Sequence, residues 1–221
     1  MRVLVTLLLT FVGMAYSFSE AAAGSPRFWL GVTLPYVVLV ALALHKMWQD
    51  GTLVDLLTPR WGDLSIGALS MIALLFASWA ARRVLSPAGS PRQAWLFRIY
   101  LQLGNPEHLQ RSSAYTLLIL LVCLAEEIVW RGMVLGDLTE RFGRRAALPL
   151  SALAYGASTL PTLWLLRDPT AGLNPLLVTA AVGCGLVWSF LAAQLGRLAP
   201  VVISHMAFTY FTIVQFRLPG L

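Results

Sequence analysis

Residues 115–136 form a long apolar run, YTLLILLVCLAEEIVWRGMVLG, with three charged residues in its middle. A helix this long and apolar matches the thickness of a lipid bilayer, where an unpaired charge costs about 3 kcal/mol or more. Glu126, Glu127 and Arg131 therefore need a physical reason to lie there. The i,i+4 spacing puts Glu127 and Arg131 on one helix face, with Glu126 to the side. The guanidinium can neutralise one carboxylate, which leaves the other available for chemistry.

A simpler explanation of these charges is a structural ion cluster, or a helix end whose side chains reach the headgroups. A clamp needs only one acid for one base, so the second glutamate is left unexplained by it. An ionisable group inside a membrane usually marks a functional site. The pattern favours a functional site over a clamp.

Composition indicates an integral membrane protein, since 58% of the 221 residues are hydrophobic and only 12% are charged. The formal charge of +6 comes mainly from basic residues between the apolar runs, as in juxtamembrane anchors. We see no nucleic-acid footprint, so the lipid bilayer is the expected environment. Cys123 and Cys184 lie inside apolar segments and predict neither a disulfide framework nor a metal knuckle.

The apolar runs predict an all-α, polytopic membrane helical bundle. We expect a single integral membrane domain over residues 1–221, with about seven transmembrane helices and one interfacial helix within residues 86–110. A link at residues 49–63 is predicted to be a loop because it is polar and rich in turn residues. The predicted spans are residues 3–18, 28–48, 64–81, 115–136, 146–166, 173–195 and 199–216.

The first apolar run and the residues near the membrane surface can be interpreted further. Residues 3–18 have the pattern of a signal peptide or of a retained first helix, and we favour the helix because a bundle gains packing from it. Trp29, Tyr36 and Trp48 are candidates for interfacial aromatics in the second span. His45 and His108 are expected at the surface.

Four ionisable groups lie far from the predicted membrane surfaces: Glu126, Glu127, Arg131 and His205. A poorly solvated carboxylate takes up protons readily, which suits it to act as a general base on water. A histidine from another helix can orient that water or donate a hydrogen bond to a developing oxyanion. A carboxylate and a histidine placed in this way are the minimum that hydrolysis of a peptide bond within the membrane requires.

The motif AEEIVWRG resembles the EExxxR motif of the CAAX-processing and bacteriocin-immunity (CPBP, or ABI) intramembrane proteases, which include the eukaryotic CAAX prenyl endopeptidases. The resemblance covers about residues 114–210. Family members continue with an aromatic-xxx-His motif, which stands here as YGAST, with Tyr155 at the aromatic and Thr159 at the histidine position. A later HxxxN motif stands here as HMAFT, with His205 matching and Thr209 replacing the asparagine.

The resemblance implies a helical bundle in which Glu126 activates water, Glu127 and Arg131 hold the site together, and His205 stabilises the oxyanion. Tyr155, Thr159 and Thr209 are possible supporting residues. Because Thr159 stands where the family has a histidine that could bind a metal, zinc is less plausible, and we expect no cofactor. The implied partner is a membrane-anchored protein or peptide substrate, and the implied location is the cytoplasmic membrane of a prokaryote.

Three interpretations remain open. One is a divergent intramembrane endopeptidase that trims membrane-anchored or C-terminal segments, for example a sorting protease of the myxosortase kind. Another is a catalytically silent scaffold or immunity-type binding protein, because a threonine hydroxyl cannot take up a proton as imidazole does. A third is a cysteine-based sorting enzyme, in which Cys123 would pair with His205 and Arg131. A transporter with a proton relay has no second motif in its support.

The site residues also predict which helices must meet. Glu126, Thr159 and His205 come together only if the fourth, fifth and seventh predicted spans pack against one another. Small residues let helix backbones approach closely, and we expect this at Gly156, Ala157 and Ser158. Gly183 and Gly185 are expected to allow the same in the sixth span.

Overall fold

The computed structural model describes residues 1–215 and is an all-α helical bundle, as predicted. Residues 1–215 contain no β-strand, and an isolated bridge joins Asp168 to Gly172. The helices are α1 Arg2–Ser17, α2 Pro26–Gln49, α3 Leu53–Leu57, α4 Asp63–Leu85, α5 Gln93–Leu103, α6 Pro106–Arg111, α7 Ser113–Glu127, α8 Leu135–Phe142, α9 Arg144–Ser158, α10 Pro161–Leu165, α11 Leu176–Leu195 and α12 Ala199–Tyr210. A 3₁₀ turn covers Glu20–Ala22, and π-helical segments cover Ile128–Val134 and Phe211–Gln215.

Three helices, α2, α4 and α11, are long and apolar enough to cross a membrane, which agrees with an integral membrane protein. The apolar helix α1 and the helix from Ala199 to Gln215 are shorter. The number of seven spans therefore stays a prediction. The predicted seventh span ends at residue 216, one residue beyond the described part of the chain.

Several helix boundaries differ from the predicted ones. The link predicted as a loop contains the short helix α3. The central charged helix continues from α7 through the π-helical segment into α8, well past the predicted end at residue 136. The fifth predicted span is interrupted at Pro161, as the sequence indicates, and Pro161 stands at the start of α10, where its missing N–H is tolerated.

The aromatic residues of α2 correct one prediction. Trp48 is exposed, as an interfacial residue would be, but Trp29 and Tyr36 are buried, at 8% and 7% exposure. Their rings point into the bundle and line its main cavity. His45 and His108 are exposed as expected, although His108 lies in α6 rather than in a loop.

The predicted meeting of the fourth and seventh spans is confirmed, since α7 packs directly against α12. Helix α9 packs mainly against α11. A Cβ atom at Gly156 would lie 2.3 Å from Val182 Cγ2, and one at Gly185 would lie 3.3 Å from the Ala152 backbone. Gly156 and Gly185 thus bring α9 to α11, whereas Gly183 faces open space.

Helix α5 is fastened to the loop between α10 and α11. Arg98 Nε donates to Asp168 Oδ2 over 3.2 Å, and Asn174 Nδ2 donates to the Trp95 carbonyl over 3.0 Å. The Thr170 hydroxyl, the backbone N–H groups of Thr170 and Ala171, and Arg98 lower the pKa of Asp168. These bonds hold α5 in place on the bundle.

Helices α1 and α2 cross at two glycines, Gly13 and Gly31, so no side chain separates their backbones there. A Cβ atom at Gly13 would lie 2.7 Å from the Gly31 carbonyl oxygen and 2.6 Å from Pro35 Cγ. Nearby, the Ser17 hydroxyl donates to the Phe28 carbonyl over 3.0 Å. Direct backbone contact at Gly13 therefore sets the distance between α1 and α2.

This crossing gives a test of the packing. Gly13→Ala should lower the thermal unfolding temperature in detergent, because overpacking a close contact costs about 1–3 kcal/mol. Gly136→Ala is the matched control: it is also a helical glycine, but nothing lies within 4 Å of its added Cβ. Helix propensity predicts an equal or higher unfolding temperature for Gly136→Ala. Equal unfolding temperatures for both variants would contradict the close α1–α2 approach.

Candidate active site

The charged helix changes its geometry at the site. Glu127 is the last residue of α7, and Ile128–Val134 form a π-helical segment that contains Arg131. Such wider turns are rare inside α-helices and occur frequently at functional sites. The segment packs against α2 and is almost entirely buried. It therefore brings Arg131 into the bundle interior one turn below Glu127.

Glu127 is the centre of the charged cluster. One of its oxygens, Oε1, lies 3.2 Å from Arg131 Nη1 and 2.6 Å from His205 Nδ1. Its side chain is fully buried. Because a carboxylate only accepts hydrogen bonds, the chemistry assigns a proton to His205 Nδ1. Glu127 thus joins α7 to α12 and binds both cationic partners.

Arg131 is held from several sides. Its Nη2 donates to the Gly185 carbonyl of α11 over 3.4 Å. Its guanidinium carbon lies 4.7 Å from the centre of the Tyr155 ring and 5.4 Å from that of the Trp188 ring. Among residues 1–215, the ion pair of Arg131 is with Glu127 and not with Glu126. Arg131 is therefore fixed away from the first glutamate.

Glu126 has a different environment from Glu127. Tyr155 donates its hydroxyl proton to Glu126 Oε2 over 2.8 Å, and His205 Nε2 lies 3.5 Å from the same oxygen. The Glu126 side chain is 16% exposed, against 0% for Glu127, and it lines the main cavity. Glu127 is thus fully enclosed, whereas Glu126 keeps a partly exposed side chain beside the cavity.

The imidazole of His205 is held by a stacked aromatic ring and by the Glu127 carboxylate. Its ring stacks on Trp188 at 3.9 Å between centres and 25° between planes. Trp188 Nε1 in turn donates to the Ser204 hydroxyl over 3.2 Å, which donates to the Ser70 hydroxyl of α4 over 3.1 Å. With Nδ1 bound to Glu127, only Nε2 of His205 is left to face Glu126.

The cavity beside Glu126 has a volume of about 600 Å³ and is lined mostly by apolar side chains. Helices α1, α2, α4 and α5 form one part of its wall, and α7, α9, α11 and α12 form the rest. Tyr36, Cys123, Thr159 and Thr209 also reach it. It has the size of a ligand pocket and a small set of polar groups at Glu126.

Thr159 and Thr209 both line the cavity, but they differ in burial and in the hydrogen bonds of their hydroxyl groups. Thr159 is buried and donates its hydroxyl proton to the Gly156 carbonyl over 2.7 Å, within its own helix end. Its oxygen can still accept a hydrogen bond from the cavity. Thr209 is half-buried and lines the same cavity.

Three aromatic residues lie beside the charged cluster although the sequence did not predict them there. Tyr36, predicted at the interface, accepts a hydrogen bond from Trp130 Nε1 over 3.1 Å and interacts with Glu126. Trp188 reads as an ordinary residue of an apolar run. Trp130 stands inside the motif, at a position that the motif leaves open. Only their contacts across helices reveal them.

Metal binding finds little support in these side chains. Residues 1–215 bring together no group of three or more His, Cys, Asp or Glu side chains that could hold a metal ion. Glu127 Oε1 and His205 Nδ1 already bind each other. We therefore derive no step through a metal, and the expectation that no cofactor is used stays a prediction.

Fold and site together define the class of the protein. It is an all-α integral membrane protein whose interior holds a Glu-Glu-Arg-His cluster beside an apolar cavity. Residues 109–211 match the family model described as type II CAAX prenyl endopeptidase, Rce1-like. No curated protein and no solved structure matches the chain.

The match covers just under half of the 221 residues and contains both AEEIVWRG and HMAFT. It confirms the family resemblance that these motifs predict. Residues 109–211 thus resemble an Rce1-like domain, and the activity that such a domain indicates is that of an intramembrane endopeptidase. Helices α1 to α5 lie outside the matched segment.

The buried ion pair gives a test of the division between the glutamates. Glu127→Gln and Arg131→Ala should each lower the thermal unfolding temperature and the yield in detergent, since breaking a buried pair costs about 3–5 kcal/mol. Arg2→Ala is the control, because it breaks the more exposed pair with Asp137, and surface pairs are worth about 0–1 kcal/mol. Unfolding of Glu127→Gln at the wild-type temperature would contradict the assignment.

Proposed function

We propose that the protein is an intramembrane endopeptidase that hydrolyses a peptide bond with a water molecule activated by Glu126. The observation that supports this most is the asymmetry of the two glutamates. Glu127 is enclosed and binds both Arg131 and His205 at short range, while Glu126 accepts a hydrogen bond from Tyr155, lies 3.5 Å from His205 Nε2 and faces the cavity. A general base needs this freedom, because it must bind a water molecule beside the substrate.

The charges of the cluster balance in one protonation state. Two carboxylates, one guanidinium and one imidazolium sum to zero, which a buried site favours because an uncompensated charge is costly there. In that state His205 Nδ1 donates to Glu127 and Nε2 carries a proton on the side of Glu126. Nε2 is then available as a hydrogen-bond donor to an oxyanion.

The proposed reaction has two steps. Glu126 takes a proton from water while the water oxygen bonds to the carbonyl carbon, and the carbonyl oxygen becomes an oxyanion that His205 Nε2–H stabilises. The oxyanion then collapses, the C–N bond breaks, and the proton on Glu126 passes to the leaving amine. Tyr155 orients Glu126, and Thr159 and Thr209 offer hydroxyl oxygens to the water.

A substrate that reaches this cavity must enter an apolar space within a membrane bundle. A membrane-anchored or C-terminal segment of a protein fits that chemistry better than a polar soluble peptide, because the cavity walls are mostly apolar. A role in protein sorting and a location in the cytoplasmic membrane of a prokaryote belong to the same proposal and rest on the family resemblance alone.

A cysteine mechanism is the second candidate, and one observation favours it. Cys123 lines the cavity and interacts with His205. A thiol beside an imidazole is the arrangement of a nucleophile and its base. However, Cys123 is buried at 3% exposure, and His205 Nδ1 is already occupied by Glu127. We therefore rank the glutamate mechanism first.

Four variants separate these mechanisms. Glu126→Gln should lower the cleavage rate by about 10²–10⁴-fold, because glutamine cannot accept the proton. His205→Ala should cost about 10²–10³-fold through the lost oxyanion donor. Thr159→Ala should cost less than either, because its proton is already committed to Gly156. Cys123→Ala should leave cleavage nearly intact.

The substrate for this assay can be found by comparing the membrane proteins of cells with and without the gene, and cleavage is then measured with purified protein in liposomes. Substrate binding by Glu126→Gln serves as the control for folding. Loss of cleavage in Cys123→Ala with retention in Glu126→Gln would replace the proposal with a thiol enzyme. Processing by the wild type and all four variants that does not exceed that of liposomes without the protein would indicate the silent scaffold.

A further inference from the structure

The cavity carries more hydroxyl groups than the proposed reaction uses, and most of their protons are already committed. Five of these side chains donate to backbone carbonyl oxygens: Thr10, Tyr100, Ser158, Thr159 and Thr212. The proton of Tyr155 is bound to Glu126 Oε2. The other hydroxyl side chains of the cavity are those of Tyr36, Ser78, Thr179 and Thr209, and the Tyr36 hydroxyl interacts with Glu126.

Tyr36 has a different arrangement. Its hydroxyl oxygen accepts a hydrogen bond from Trp130 Nε1 over 3.1 Å, so its own proton points away from Trp130. The ring is buried at 7% exposure and lines the cavity beside Glu126, with which the hydroxyl interacts. A phenol that already accepts one hydrogen bond is polarised into a stronger donor of the next.

The position of Trp130 explains why Tyr36 is held so firmly. Trp130 is fully buried in the π-helical segment that packs against α2, and its ring meets Tyr155 edge-on at 5.3 Å. The indole thus lies between the two tyrosines that approach Glu126. One of them, Tyr155, orients the carboxylate, and the hydroxyl of the other, Tyr36, interacts with the same carboxylate. Once Glu126 has taken up the proton of the water molecule, it accepts hydrogen bonds less strongly, and the Tyr36 proton can turn to a developing oxyanion.

We infer that Tyr36 is a catalytic residue, whose O–H donates a hydrogen bond to the carbonyl oxygen of the scissile peptide as the water molecule on Glu126 attacks. The inference rests on the proposed function of the same site. No proton leaves Tyr36: the bond from water to carbon forms, the C=O electron pair moves to oxygen, and the phenol shares its proton with that oxygen. His205 Nε2–H and the Tyr36 O–H then form a two-donor oxyanion hole.

The two halves of the chain both contribute to the site. Tyr36 lies in α2, outside the segment that matches the Rce1-like model. The matched half supplies the base and the charged cluster, and the first half supplies a donor for the transition state. Activity should therefore depend on α2 even though the motifs lie elsewhere.

The test compares turnover and binding in single and double variants. Tyr36→Phe should lower kcat about 10²-fold with KM almost unchanged, because the hydrogen bond is made mainly in the transition state. Tyr115→Phe removes a phenol hydroxyl that does not line the cavity and should keep the wild-type kcat. Glu126→Gln, measured in the same assay, reports on the proposed function itself.

A merely structural role of Tyr36 has a different signature. Tyr36→Phe also leaves the buried Trp130 N–H without its acceptor, which destabilises the fold. The double variant Tyr36→Phe/Trp130→Phe removes both groups and repairs that defect. A double variant as slow as Tyr36→Phe supports catalysis by the phenol. Recovery of kcat in the double variant, or a wild-type kcat in Tyr36→Phe, overturns the inference while Glu126→Gln remains inactive.

Discussion

The rest of the site depends on one buried carboxylate, that of Glu127, which binds two cationic groups at once. Its Oε1 atom receives Arg131 from the same helix and His205 from α12, at 3.2 and 2.6 Å. Because Arg131 pairs with Glu127 and not with Glu126, the Glu126 carboxylate stays beside the cavity. An unpaired charge is costly in a dry interior. The ion pairs of the cluster therefore hold α7 against α12 and also hold the charged side chains in position.

Aromatic side chains surround this cluster and contact its charged groups. Trp188 stacks on His205 and lies beside Arg131, and Tyr155 lies against Arg131 while it binds Glu126. Rings of this kind stabilise cations through their faces and still exclude water. The cavity itself is completed by α1, α2, α4 and α5, which the family match does not cover. The matched motifs therefore describe the charged cluster and not the shape of the space beside it.

The sequence predicted the parts of this structure that rest on membrane physics. Charges inside an apolar run stand out because the bilayer makes them costly, so Glu126, Glu127, Arg131 and His205 could be named without a structure. Tyr36 could not, since an aromatic residue in an apolar helix is equally suited to an interface, and only the position of Trp130 and Glu126 on other elements decides its role. The helix α3 and the long continuation into α8 were missed for a similar reason, because polar and apolar residues mix there and tertiary contacts set the helix ends.

The claim that Glu127 is enclosed while Glu126 faces the cavity can be measured without a substrate. A hydrophobic carbodiimide reacts with carboxyl groups that it can reach, and peptide mass spectrometry distinguishes the two neighbouring positions. The account predicts a single adduct in this motif, at Glu126, which Glu126→Gln abolishes. Labelling at Glu127, with Glu126 unmodified, would contradict it.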